Sequence, residues 1–246
     1  MTDSKLVILT RDHEGNAAWS KLLESHGIRS YGLPCIETAP LALSPALTEA
    51  LTHLSDYQWL IFTSATGVHY FAATIAQLGL DMSSLGQIKI AVVGTQTSGA
   101  IKSLGLRASF IPPVPTADSL AALLPDPNKQ RILMLGADIS SSLPAKALRS
   151  RGADVTHLPV YQTRPIKLPD PEFRQLMRES LVSTLIFASP SAVEGFGYRA
   201  SHVIGQALNL PAIAIGPKTR TALEKAHFRA ISTASEPSVA AILRLI

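Results

Sequence analysis

Four short segments place hydroxyls, small residues and one lysine where a folded chain could receive an anion. They are Thr63-Ser64, Gly94-Thr95, Ser189-Pro190-Ser191 and Gly216-Pro217-Lys218-Thr219. Each follows an apolar run that reads as a buried strand and precedes a run with helical spacing. At the carboxyl end of a parallel strand the next helix begins, and its first-turn N–H groups and positive dipole end face outward. Such ends attract carboxylates, each worth about 0.3–1 kcal/mol when exposed. Several aimed at one cleft would make a receptor for a polyanion. Pro190 and Pro217 suit the first helical position, where the missing N–H costs nothing. Ser64, Ser189 and Thr97 have a plainer use as helix caps, and both uses stay open.

Other chemistries lack their residues. The seven histidines form no pair at i, i+3 or i, i+4, and no His/Cys/Asp cluster suggests a metal. No G-x-G-x-x-G follows a strand, and there is neither a P-loop nor a G-x-S-x-G elbow. The single cysteine, Cys35, excludes an internal disulfide and reads as a buried structural thiol. No cofactor is expected. An enzyme built this way would act by orientation and electrostatics, without a covalent nucleophile.

The elements that must position these segments occur twice. Leu60-Ile61-Phe62-Thr63-Ser64-Ala65-Thr66-Gly67-Val68-His69-Tyr70-Phe71 returns as Leu185-Ile186-Phe187-Ala188-Ser189-Pro190-Ser191-Ala192-Val193-Glu194-Gly195-Phe196, with six of twelve positions identical. Val93–Ile101 returns as Ile215–Leu223. Strands are expected at Lys5–Thr10, Ile28–Pro34, Trp59–Thr63, Ile88–Val93 and Ala108–Ile111. Their counterparts are Arg131–Gly136, Asp154–Pro159, Thr184–Ala188, Ala212–Ile215 and Arg229–Ser232. Helices are expected at Glu14–His26, with Trp19, Leu22 and Leu23 on one face and Gly27 as cap, and at Ser141–Arg151 with Gly152 as the matching cap. Others fall at Pro45–Leu54, Thr66–Leu78, Thr95–Leu104 and Ser119–Leu124, with matching segments in the second half. The alternation specifies an α/β fold with two similar lobes, each a parallel sheet flanked by helices. Leu33–Thr38 and Leu158–Thr163 are matching extended, proline-bearing linkers. The halves are either tandem domains with a boundary near Asn128 or crossed lobes exchanging their opening units.

Composition sets the class. The 246 residues, 46% apolar and 16% charged, can bury a substantial core. No targeting segment or membrane-length apolar run is read, so a cytoplasmic protein with no membrane role is expected. The net charge of +4 is spread without a Lys/Arg block, and aromatic residues make up only 6%, so no nucleic-acid partner is expected.

Taken in order, the motifs resemble the uroporphyrinogen-III synthase family. The matching pieces are Phe62-Thr63-Ser64 with Gly67-Val68, Ala91–Gly94 with Thr97, and Pro159-Val160-Tyr161-Gln162-Thr163. They continue through Phe187–Val193, Ala214–Thr219 with Ala222-Leu223, and Ser235–Ser238. The resemblance implies crossed lobes, residues 1–35 with 163–246 forming one and 36–162 the other. A two-stranded linker at 35–38 and 160–163 would serve as hinge, with the ligand in the interdomain cleft. It also implies the reaction, in which linear hydroxymethylbilane closes with inversion of ring D to uroporphyrinogen III, releasing water, in tetrapyrrole biosynthesis. Tyr161 is then the candidate general acid, with hinge packing as its other role. Arg11, Thr63, Ser64, Gly67, Gly94, Thr97, Ser189, Ser191, Gly216, Lys218 and Thr219 are the candidate contacts for the substrate's eight carboxylates. A monomer is implied, with transient contact with the upstream bilane-forming enzyme as a further expectation. Thr66 and Lys218 depart from the family pattern, which often has Asn at the first position and a small or polar residue at the second. The rival reading from another class is a two-lobed small-anion-binding protein without catalysis.

Overall fold

The computed structural model describes residues 6–82, 85, 88–236 and 238–246. Lys5, the first residue of the expected opening strand, and Pro237 of the last motif lie outside them. Two five-stranded sheets carry the fold. The first has the order β10-β9-β8-β1-β2, formed by β10 (Ala230–Thr233), β9 (Pro211–Ala214), β8 (Val182–Phe187), β1 (Leu6–Leu9) and β2 (Ser30–Gly32). The second has the order β3-β7-β6-β4-β5, formed by β3 (Ile36–Pro40), β7 (Asp154–Pro165), β6 (Arg131–Ala137), β4 (Trp59–Phe62) and β5 (Lys89–Val92). The ladders from β10 to β2 and from β7 to β5 are parallel.

Because successive strand residues point to opposite faces, each apolar strand feeds two cores. In the second sheet Leu60, Phe62, Leu133 and Leu135 enter one buried cluster, while Trp59, Ile61, Ile132 and Met134 enter another. In the first sheet Ile8, Leu185 and Phe187 face one cluster, and Val7, Leu9 and Ile186 the other. Sheets buried on both faces in this way need helices on both sides. They are supplied in the second sheet by α3 (Ala65–Gln77), α4 (Thr95–Ser103), α5 (Ala117–Leu123) and α6 (Leu143–Ser150), among others. Their counterparts in the first are α8 (Pro190–Arg199), α10 (Pro217–Lys225), α11 (Val239–Leu243) and α1 (His13–Glu24).

The pairing also decides how the duplicate halves combine. Strand β1 pairs with β8 from the second half, Val7 opposite Thr184, and β4 pairs with β6, Leu60 opposite Leu133. Each sheet thus joins the opening unit of one half to the remainder of the other. The chain divides into two compact units, Ala39–Gln162 in one and the residues up to Thr38 with Thr163–Ile246 in the other.

Three local expectations need correction. Ala108–Ile111 forms only an isolated bridge, Ala91 opposite Phe110, although its counterpart is the full strand β10. Pro112 and Pro113 follow at once and cannot donate to a ladder. Leu22 lies 47% exposed, because the buried stripe of α1 is Asn16, Trp19 and Leu23. The Asp154–Pro159 strand runs on to Pro165, while the Ile28–Pro34 strand shortens to Ser30–Gly32. Gly27 and Gly152 both adopt the left-handed conformation (φ 73° and 85°) and close their helices as expected.

Candidate functional site

In the unit holding the second sheet, the adjacent strands β6, β4 and β5 end at or just before Gly136, Thr63-Ser64 and Gly94, and Tyr161 of β7 lies opposite Ala137 at the end of β6. Ser64 is the N-cap of α3, where its Oγ accepts the Gly67 N–H at 2.9 Å. The same oxygen lies 3.1 Å from the Tyr161 hydroxyl. That leaves the phenol hydrogen-bonded at the positive end of a thirteen-residue helix. Tyr161 is 7% exposed, and its ring stacks on Tyr70 with centroids 5.3 Å apart and planes 12° apart.

Two glycines give this cluster its room. A Cβ on Gly67 would sit 3.2 Å from Ser64 Oγ and 3.8 Å from the Tyr161 ring. One on Gly136 would meet Ser140 Oγ at 2.7 Å and Thr63 Oγ1 at 3.0 Å. A register shift between Gly136 and Ala137 brings Ala137 opposite Tyr161, and the Asp138 N–H donates to the Tyr161 carbonyl at 2.9 Å. Bulges of this kind re-aim side chains. On the next strand Gly94, not Thr97, is the N-cap of α4. Thr97 is buried in the first turn and does not cap the helix. No N-cap side chain bonds the first-turn N–H groups of α4.

The other unit repeats the pattern with different chemistry. Ser189 caps α8, accepting the Ala192 N–H at 3.1 Å, and its Oγ lies 2.9 Å from Ser191 Oγ. Gly216 begins α10 in the same extended backbone as Gly94 and likewise without a side-chain cap. Thr219 is buried in the first turn, while Lys218 is exposed. Arg11 follows β1. Its guanidinium lies 5.0 Å from the Trp19 ring, and burial draws its pKa below the ordinary value, with Asp12 opposing. It stays cationic near neutrality. Gly15 leaves it room, since a Cβ there would come within 2.6 Å of Arg11 Nε.

Two residues escaped the sequence reading. Buried Asn16 grips the Arg11 backbone from both sides, accepting its N–H at 2.8 Å and donating to its carbonyl at 3.3 Å. Tyr70 follows Ser64 and Gly67 at intervals of three, so all three share one face of α3. That spacing was the available signal. Among the described residues no group of three or more His, Cys, Asp or Glu is arranged to hold a metal, and no helix is long and apolar enough to cross a membrane. Burial pushes the Cys35 thiol well above its ordinary pKa, as a structural thiol requires.

A sequence model described as "Uroporphyrinogen-III synthase HemD" matches residues 17–244. The chain belongs to the uroporphyrinogen-III synthase family. It is 28% identical to a porphyrin biosynthesis protein HemD of Ruminiclostridium josui over 91% of its own length and 44% of that protein's. It is 29% identical to a uroporphyrinogen-III synthase of Synechococcus elongatus, over 78% of this chain and 73% of that one. The chain therefore spans less than half of the first relative and about three quarters of the second. Among solved structures, a mutant uroporphyrinogen III synthase from Thermus thermophilus superposes with a TM-score of 0.62 at 21% identity, covering 98% of this chain and 97% of that one. At that identity the likeness establishes the family's α/β fold of two parallel sheets.

Proposed function

We propose that this chain closes linear hydroxymethylbilane to uroporphyrinogen III with inversion of ring D and release of one water, as a cofactor-independent lyase. The observation that carries the reading is the Tyr161 hydroxyl, held by Ser64 at the N-terminus of α3 and at the carboxyl edge of its sheet. A proton from Tyr161 lets the substrate hydroxyl leave as water, and the electron pair of ring A's pyrrole nitrogen fills in to give an azafulvenium cation. Ring D attacks through its substituted carbon to form a spiro intermediate. That intermediate fragments and recloses through the other carbon, and the proton it loses restores the phenol. A general acid of this kind contributes about 10²–10⁴-fold in rate.

The second task is to hold the bilane where direct closure cannot occur, which is orientation control. Candidate holders of its carboxylates are the open first turns at Gly94 and Gly216, the hydroxyls of Thr63, Ser64, Thr97, Ser189, Ser191 and Thr219, and the cations Arg11 and Lys218. Gly67 keeps the wall beside Tyr161 flat. The strands that cross between the units, β3 and β7, are the proposed hinge. The reading places the protein in the cytosol as a monomer that receives its substrate from a bilane-forming enzyme. The deciding experiment supplies hydroxymethylbilane and resolves the product isomers. Excess type III is expected, and type I alone, the product of unassisted closure, would remove the enzymatic claim and leave an anion-binding protein.

A further inference from the structure

The duplication supplies an internal control for one residue. The repeat aligns Tyr70 on α3 with Gly195 on α8, and Ser64 with Ser189. At Gly195 the preceding linker comes against the helix itself, since a Cβ there would run into the Cys35 carbonyl oxygen. At Tyr70 a ring stands in that place, stacked on Tyr161 at 5.3 Å. The fold therefore accepts a glycine at this helix position and a close linker beside it. What Tyr70 adds is a flat wall for the Tyr161 ring, whose edge lies 3.8 Å from where a Cβ on Gly67 would sit and whose hydroxyl meets Ser64.

We propose that Tyr70 is a positioning residue for Tyr161: Ser64, Gly67 and Tyr70, three residues apart on one face of α3, form a cradle that fixes the phenol's direction. The inference rests on the assignment of Tyr161 as proton donor. A phenol can pivot about two side-chain bonds, and a hydrogen bond at its tip restrains only one end. The flat contact along the ring restrains the rest, so the hydroxyl stays aligned when the substrate's leaving group arrives. The stack needs an aromatic ring and not a second hydroxyl, so phenylalanine should serve at position 70 and leucine should not.

The test uses the full chain and the variants Tyr70→Phe, Tyr70→Leu, Tyr161→Phe and the Tyr70→Leu/Tyr161→Phe double. Tyr70→Leu is expected to lower kcat at least tenfold with KM within twofold, and Tyr70→Phe to stay within twofold on both. The double variant should be no slower than Tyr161→Phe alone, because Tyr70 acts only through that phenol. Unchanged kcat in Tyr70→Leu where Tyr161→Phe is impaired, or multiplying losses in the double variant, would overturn the proposal. A second readout is independent of turnover. Ring NMR signals of Tyr161, assigned by their loss in Tyr161→Phe, should report a restrained ring that becomes freely flipping in Tyr70→Leu. If those signals do not change, the cradle is wrong. If they change while Tyr161→Phe keeps full activity, the cradle stands and the acid assignment fails.

Discussion

Ser64 and Ser189 are the most informative pair of residues, because they do one job in common and differ in another. Each caps a helix by accepting the N–H three residues on. Only Ser64 also meets a phenol. Ser64→Ala and Ser189→Ala should therefore lose similar stability, about 0.5–2 kcal/mol by urea unfolding. Turnover should fall several-fold more in Ser64→Ala, and equal kcat losses would count against the phenol's role. A second residue carries a pH dependence. Burial, helped by the positive charge of Arg149, lowers the folded-state pKa of His157 below its ordinary 6.5. The unfolded chain then binds a proton that the folded chain refuses, so this contribution is present above about pH 6.5 and is lost as pH falls below it. His157→Asn should narrow the gap between urea midpoints measured at pH 5 and pH 7.5. At this scale the sequence exposed the hydroxyls but not their partners. Ser64 was legible because strand ends and caps have local signatures. Its contact with Tyr161, 97 residues away, depends on a strand register that no local pattern encodes.

At the scale of elements, strands and helices were legible wherever apolar periodicity and caps agreed, as in β4 with α3 and β8 with α8. The failures have physical causes. Ala108–Ile111 has the composition of a strand, but the prolines after it leave a single bridge. In α1 the narrow buried stripe follows Asn16, a polar residue retained for its two bonds to the Arg11 backbone, so an apolar pattern misplaced Leu22 inside. Helix α8 offers a sharp packing test. Gly195→Ala would drive a methyl against the Cys35 carbonyl and should cost about 3 kcal/mol or more by calorimetry. Gly197→Ala, two residues on, has nothing within 4 Å and should gain about 0.5–1 kcal/mol from helix propensity. Equal effects at the two positions would show that the close approach does not constrain the helix.

For the whole molecule, the duplicated units have diverged in charge. The strand ends of both sheets offer hydroxyls and a helix start without a side-chain cap, to which the second adds Tyr161 and the first the cations Arg11 and Lys218. Under the proposed function, one unit anchors carboxylates by charge and the other conducts the chemistry. Arg11→Gln and Lys218→Gln should then raise KM and leave kcat within about twofold, and Lys218→Gln, at the exposed charge, should also flatten the dependence of KM on salt. A loss confined to kcat would contradict that division. The fold class was legible because βα alternation is a local pattern repeated. The exchange of opening units was not legible in that pattern, because both arrangements present the same elements in the same order, and only the family resemblance implied it. That exchange also constrains how the protein is made. Leu9 closes β1, yet its neighbour β8 begins only at Val182. At ~5–20 residues per second, a ribosome leaves that flank of the opening strand unpaired for on the order of 10–30 s. Meanwhile the contiguous unit of Ala39–Gln162 is already complete. The contiguous middle unit can thus close on itself while one flank of β1 still waits for β8.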